Sequence, residues 1–141
     1  SYVADFRLGN VSQFRVNASG QALVTAATGL GYGTGSGGTV TQATSKSTAV
    51  TLNKPTGQIT MNNAALAAGA TIAFTCTCSS VAATDTVQIT VAQSGVYTAS
   101  NYRVFAYPTT GNFIVAVWNW SGGSLSEAIV LNYTVIKGAT S

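Results

Sequence analysis

The chain has 141 residues and nine charged side chains: six Lys or Arg, three Asp or Glu, and no His. That is 6% charged, against about 25% in an ordinary soluble domain, while the apolar fraction of 46% is ordinary. The balance excludes a coiled coil, charge-driven disorder and any His-based catalytic or metal site. The polar surface must come from neutral Thr, Ser, Asn, Gln and Gly. The length suits one domain with a short appendage.

Mean hydropathy is +0.30, yet no apolar run approaches the ~18 residues of a membrane span. The longest are 64–70 and 113–118, so membrane insertion is not expected. The opening Ser1-Tyr2-Val3-Ala4-Asp5 lacks the basic head and apolar stretch of a leader, and it lacks Met. It reads as the start of a fragment or a processed chain. The basic charges (Arg7, Arg15, Lys46, Lys54, Arg103 and Lys137) are dispersed rather than gathered in a stripe, so no nucleic-acid partner is expected.

Residues 1–30 read as a short β hairpin or arm. Phe6-Arg7-Leu8 and Phe14-Arg15-Val16 alternate, Asn17-Ala18-Ser19-Gly20 is a turn, and Ala22-Leu23-Val24 follows. Residues 31–38 hold five glycines and predict a connector, because so many glycines disfavour strand and helix interiors. From Thr39 the pattern is β, with strands expected over 39–44, 47–52, 58–62, 71–79, 86–92, 102–107, 112–119 and 127–136. Ile72, Phe74, Cys76 and Cys78 share one face, as do Ile129, Leu131, Tyr133 and Val135. The separators, such as Pro55-Thr56-Gly57 and Ser121-Gly122-Gly123-Ser124, are turn chemistry. Residues 63–69 suggest one turn of helix or a loop crossing between sheets. The expected fold is all-β: a β-sandwich, jelly-roll-like, of about eight antiparallel strands over 39–137, with the short N-terminal β appendage.

Cys76 and Cys78 lie two apart on one strand face. Their Cα atoms would be about 6.5–7 Å apart, at the edge of disulfide geometry. Two thiols without His do not complete a zinc site. Both read as buried small hydrophobes, and no cofactor is implied. Gly33-x-Gly35-x-x-Gly38 matches a dinucleotide fingerprint by spelling alone, since β-branched Thr39-Val40-Thr41 follows where a helix should. Asp85 and Glu127 could form a carboxylate pair for glycosidic cleavage, but they read better as a turn residue and a strand start. Ser45-Lys46-Ser47 sits in an expected surface turn with nothing to depress the lysine pKa. No catalytic residue is assigned, and the chain is read as a non-enzyme.

The aromatics offer more. Tyr97, Tyr102, Phe105 and Tyr107 precede Phe113, Trp118 and Trp120, and the two Trp residues share a strand face. Beside Arg103, Asn119 and neutral hydroxyls, such rings suit uncharged sugars. The candidate contact set is Tyr97, Tyr102, Arg103, Tyr107, Asn119 and Trp120. The competing reading places most of these rings in the core or a subunit interface, where Tyr and Trp are also enriched.

The run from Gly31-Tyr32-Gly33-Thr34-Gly35 through Thr39-Val40-Thr41-Gln42-Ala43-Thr44, its continuation Val50-Thr51-Leu52-Asn53-Lys54-Pro55-Thr56-Gly57, and Ser124-Leu125-Ser126-Glu127-Ala128 together resemble a β-rich module of tailed-bacteriophage virion proteins. That module often closes tail-fibre or tailspike-like chains. Phe14-Arg15-Val16-Asn17-Ala18-Ser19-Gly20 resembles the short β units of fibre shafts. The resemblance covers about 31–136 and is weakest over 93–120. It implies a non-enzymatic structural or adhesion role in the virion of a phage made in a bacterial cytoplasm. The implied partners are copies of the chain in a homotrimer, other virion proteins and a host-surface saccharide. Two alternatives stay open. One is a capsid decoration protein using 1–38 as an extended arm, and the other is a module of a polysaccharide-degrading tailspike. Scarce charge also predicts self-association, because little holds copies apart and little is lost on burying them.

Overall fold

The computed structural model describes residues 2–27 and 29–140; Ser1, Thr28 and Ser141, in the expected arm and at the two termini, lie outside the described residues. The chain divides into two compact units, Ser1–Gly33 and Thr34–Ser141, with the division inside the expected Gly-rich connector.

The first unit is a three-stranded antiparallel sheet of β1 (Tyr2–Leu8), β2 (Val11–Asn17) and β3 (Ala22–Val24), in that order. It therefore holds one strand more than a hairpin. The second turn is held by the Asn17 side chain, whose Oδ1 accepts from the backbone N–H groups of Ser19 (3.1 Å) and Gln21 (2.9 Å). Gly20 supplies the left-handed φ of 83°. Phe6 sits opposite Phe14, and Phe14 opposite Val24. Their side chains share a face, and the two Phe ring centroids are 5.9 Å apart. Asp5, Arg15 and Leu23 pair across the other face, where Asp5 also meets Arg7 and Ser12. No described side chain of this unit is buried.

The second unit is an all-β sandwich of two four-stranded sheets. Its strands are β4 (Gly37–Thr41), β5 (Val50–Thr51), β6 (Thr56–Thr60), β7 (Thr71–Thr77), β8 (Thr86–Val91), β9 (Tyr102–Thr109), β10 (Asn112–Asn119) and β11 (Val130–Ile136). One sheet runs β5-β7-β10-β9 and the other β4-β6-β11-β8. Eight strands were expected and eight form, but not all are antiparallel. The edge strands β4 and β5 pair in parallel with β6 and β7. The other edge, β9, accommodates Pro108, which lacks a ladder donor and is tolerated at an edge.

One local expectation is corrected. Gly37 and Gly38 open β4 rather than ending a connector. Gly38 lies opposite Gly57, and a Cβ on Gly57 would stand 2.6 Å from the Gly38 carbonyl oxygen. The missing side chains of Gly38 and Gly57 allow this approach, since a Cβ on Gly38 would in turn stand 2.8 Å from Leu52 Cδ1. Of the two alternatives expected for residues 63–69, the loop is the one that forms: it crosses from β6 in one sheet to β7 in the other, and Leu66 within it is buried and makes a single β-bridge to Leu125.

Alternation along the strands builds the core as the pattern requires. Phe74, Cys76 and Cys78 face inward from one sheet, and Leu131, Tyr133 and Val135 from the other. Phe113 and Tyr133 meet across the layers with ring centroids 4.9 Å apart. Both cysteines are free and fully buried, as expected of small hydrophobes. Burial, then the neighbouring Cys78, pushes the Cys76 thiol up to about 12.

Candidate functional site

The period-2 alternation that fills the core also decides what the other side of each sheet presents. On the β5-β7-β10-β9 sheet the outward residues of β9 are Arg103, Phe105 and Tyr107. Directly opposite them on β10 are Trp118, Ala116 and Ile114. Phe105 and Tyr107 are 52% and 53% exposed. Trp120 follows the strand and continues the row, 55% exposed. The second sheet is different. Thr39, Gln58, Asn132 and Thr90 form a row across its four strands, and Gln58 donates to Asn132 Oδ1 at 2.9 Å. The sandwich thus has one neutral polar outer face and one apolar aromatic one.

At one end of the aromatic face is a compact cluster. Trp118 donates its indole N–H to the Gly69 carbonyl at 2.9 Å, which fixes its ring. Trp120 meets it edge to face with centroids 4.6 Å apart, and the Arg103 guanidinium stands 5.5 Å from the Trp120 centroid. Arg103 is held in turn by the carbonyls of Ser100 (3.1 Å) and Tyr102 (3.3 Å). The result is an exposed indole face next to a fixed cation and uncharged surroundings, which suits stacking and hydrogen bonding to a neutral polar ligand.

Of the six candidate contact residues, the structure leaves Arg103, Tyr107 and Trp120 exposed. It places Tyr97, Tyr102 and Asn119 inside, which corrects the candidate set. Tyr97 accepts the Val130 N–H on its hydroxyl at 2.9 Å. Tyr102 donates to Glu127 Oε2 at 2.6 Å. Burial and then the Glu127 carboxylate raise its pKa, so the phenol stays neutral. Asn119 is fully buried and ties three segments together. Its Nδ2 donates to the carbonyls of Leu66 (2.9 Å), Ala67 (3.1 Å) and Gly123 (2.8 Å), and its Oδ1 accepts from the Ser121 N–H and hydroxyl. Tyr102 and Tyr107 lie on one strand, as expected, and alternation sends their rings to opposite sides. Phe105, Ile114 and Trp118 were left out of the contact set. The signal for them was the pair of adjacent segments 102–107 and 112–119, apolar on both faces.

The acidic residues are engaged separately. The Asp85 carboxylate takes the Lys137 ammonium and the N–H groups of Ala82 (2.9 Å) and Gly138 (3.0 Å), which hold its pKa down at about 2. Lys46 corrects the surface-turn expectation. It is 4% exposed and donates its ammonium to the carbonyls of Asn62 (2.6 Å) and Glu127 (2.7 Å). Desolvation lowers its pKa and Glu127 opposes that shift. Ser45 pairs with Ser47 and Thr48. Among the described residues no group of three or more metal-ligating side chains forms. No family model, curated protein or solved structure matches the chain.

Proposed function

We propose that the chain is a non-enzymatic virion module, the terminal domain of a bacteriophage tail fibre. In this reading it assembles as a homotrimer and adheres to a saccharide on the host surface. The observation that carries the proposal is the Trp118–Trp120–Arg103 cluster at the end of an aromatic sheet face that is otherwise uncharged. Sugars present C–H faces that stack on indole and hydroxyls that accept from guanidinium, and they need no counter-charge. A single flat site of this kind binds weakly, and presenting several copies on one fibre raises avidity by about 10²–10⁴. The near absence of charge supports packing of copies, since few ions would be desolvated.

The same observations favour a fibre over a capsid clamp. A decoration protein gripping its neighbours by an extended arm would need residues 1–38 without internal structure, whereas 1–33 forms a sheet of its own. The test has two arms. Immunogold labelling of virions should place the epitope at the tail. Saccharide titration followed by tryptophan fluorescence should saturate for the native chain and be flat for Trp120→Ala. Label on the head, or binding unchanged in Trp120→Ala, overturns the proposal.

A further inference from the structure

The N-terminal sheet is amphipathic without a core. Alternation and register put Phe6, Leu8, Val11, Phe14, Val16 and Val24 on one face. Asp5, Arg7 and Arg15, three of the nine charges, fall on the other. Phe6 is 62% exposed and Leu8 77%. An isolated sheet this small is marginal in water, and no described side chain on this face is buried.

We infer that this face is a self-association surface, covered by the same face of other copies of this chain. The inference rests on the assembly half of the proposed function and names the surface that performs it. Three features select a copy as the occupant. First, the face carries no charge, so its occupant must also be uncharged where it touches, and this face satisfies its own requirement. Second, all the charge in the sheet lies on the opposite side, so packing like on like brings no equal charges together and leaves Asp5, Arg7 and Arg15 in water. Third, sheet faces pack at a separation of about 10 Å, so three copies turned inward around one axis can enclose a shared apolar core in which Phe6 and Phe14 interdigitate.

Size sets the strength. Three strands of up to seven residues present a face of about 23 by 14 Å, on the order of 300 Å². A standard stable interface buries about 800 Å² per partner. Association through this face alone is therefore concentration-dependent, and it becomes firm only where further surfaces of the copies add to it.

The experiment uses the full chain and reads mass by sedimentation equilibrium up to about 200 µM, a range suited to a sub-standard interface. The native chain should form a closed oligomer. Phe14→Lys should weaken association by about 100-fold or more, because it sets like charges against each other in a desolvated layer. Leu23→Lys, the same charge on the opposite face of the same sheet, should associate like the native chain. Phe14→Lys and Phe14→Glu, each monomeric alone, should regain association when mixed, which separates a lost interface from a lost fold. A native chain that stays monomeric overturns the inference, and so does equal weakening by Leu23→Lys. A monomer that instead floats with phosphatidylcholine vesicles overturns it in favour of a lipid surface. Saccharide titration of the native chain and of Leu23→Lys, both assembled, reads the sandwich site independently. A blank there with the association pattern intact rejects adhesion and leaves this surface standing.

Discussion

The ring of Trp120 rests edge to face on that of Trp118, and the support is anchored while the supported ring is open to solvent. Trp118 is fixed through its N–H to Gly69, so Trp120 is oriented without being buried. Such a ring contributes little to stability. Trp120→Ala should cost about 1 kcal/mol, the scale of one exposed aromatic pair and one exposed cation–π contact. Urea denaturation measures this. Loss of saccharide binding alongside so small a change would separate contact from folding.

Asn119 sits between the two indoles in sequence and points the other way. Its amide group donates to carbonyls of two loops and accepts from the Ser121 N–H, so Asn119→Ala removes all of these buried bonds at once and takes the acceptor from that N–H. A loss of about 2–4 kcal/mol is expected, seen as a fall in the denaturation midpoint. Asn119→Asp should also destabilise, since a carboxylate cannot donate to Leu66, Ala67 or Gly123.

Gly57 is expected to tolerate no side chain. A Cβ there would lie 2.6 Å from the Gly38 carbonyl oxygen and 2.8 Å from Leu52 Cδ2. Gly57→Ala should cost about 1–3 kcal/mol by overpacking. Gly95→Ala meets nothing within 4 Å, so it should change stability by less than about 0.5 kcal/mol. Paired thermal melts of the two variants check the contrast.

Asp85 makes stability fall in acid. Its pKa is lowered to about 2, first by the Lys137 hydrogen bond and then by the Ala82 and Gly138 N–H groups. A depressed carboxylate stabilises the fold fully above its unfolded value of about 3.9, and that contribution disappears as pH falls through the folded value. The native chain should therefore lose stability between about pH 4 and pH 2, as read by denaturant midpoints across that range. Asp85→Asn should flatten this part of the profile and lower the plateau above it.

Much of the fold was legible because period-2 alternation is local. Ile129, Leu131, Tyr133 and Val135 share a face in any strand, and all four are buried. The 112–119 strand appears with the expected bounds. The parallel edges were not legible, because pairing depends on where distant segments meet. The glycines at 37 and 38 open a strand for a related reason: a local penalty says nothing about the distant neighbours, Leu52 crowding Gly38 and Gly57 pressing on its carbonyl, that pair this segment into the sheet.

The candidate site divided along the same line. The sequence by itself determined that aromatics gather late in the chain, that charge is nearly absent, and that strands dominate. Tertiary structure alone decided which rings are available. Tyr102 and Tyr107 are chemically alike and five residues apart, yet opposite parity on one strand buries the first against Glu127 and exposes the second. Lys46 shows the same dependence, since only the folded chain brings the carbonyls of Asn62 and Glu127 to its ammonium. Six of the nine charges divide by position. Lys46 and Asp85 hold the sandwich together from inside, Asp5, Arg7 and Arg15 mark the wet side of the N-terminal sheet, and Arg103 stands beside Trp120. Composition sets how many charges a chain carries, whereas their work depends on which face each one reaches and on how far water is excluded there.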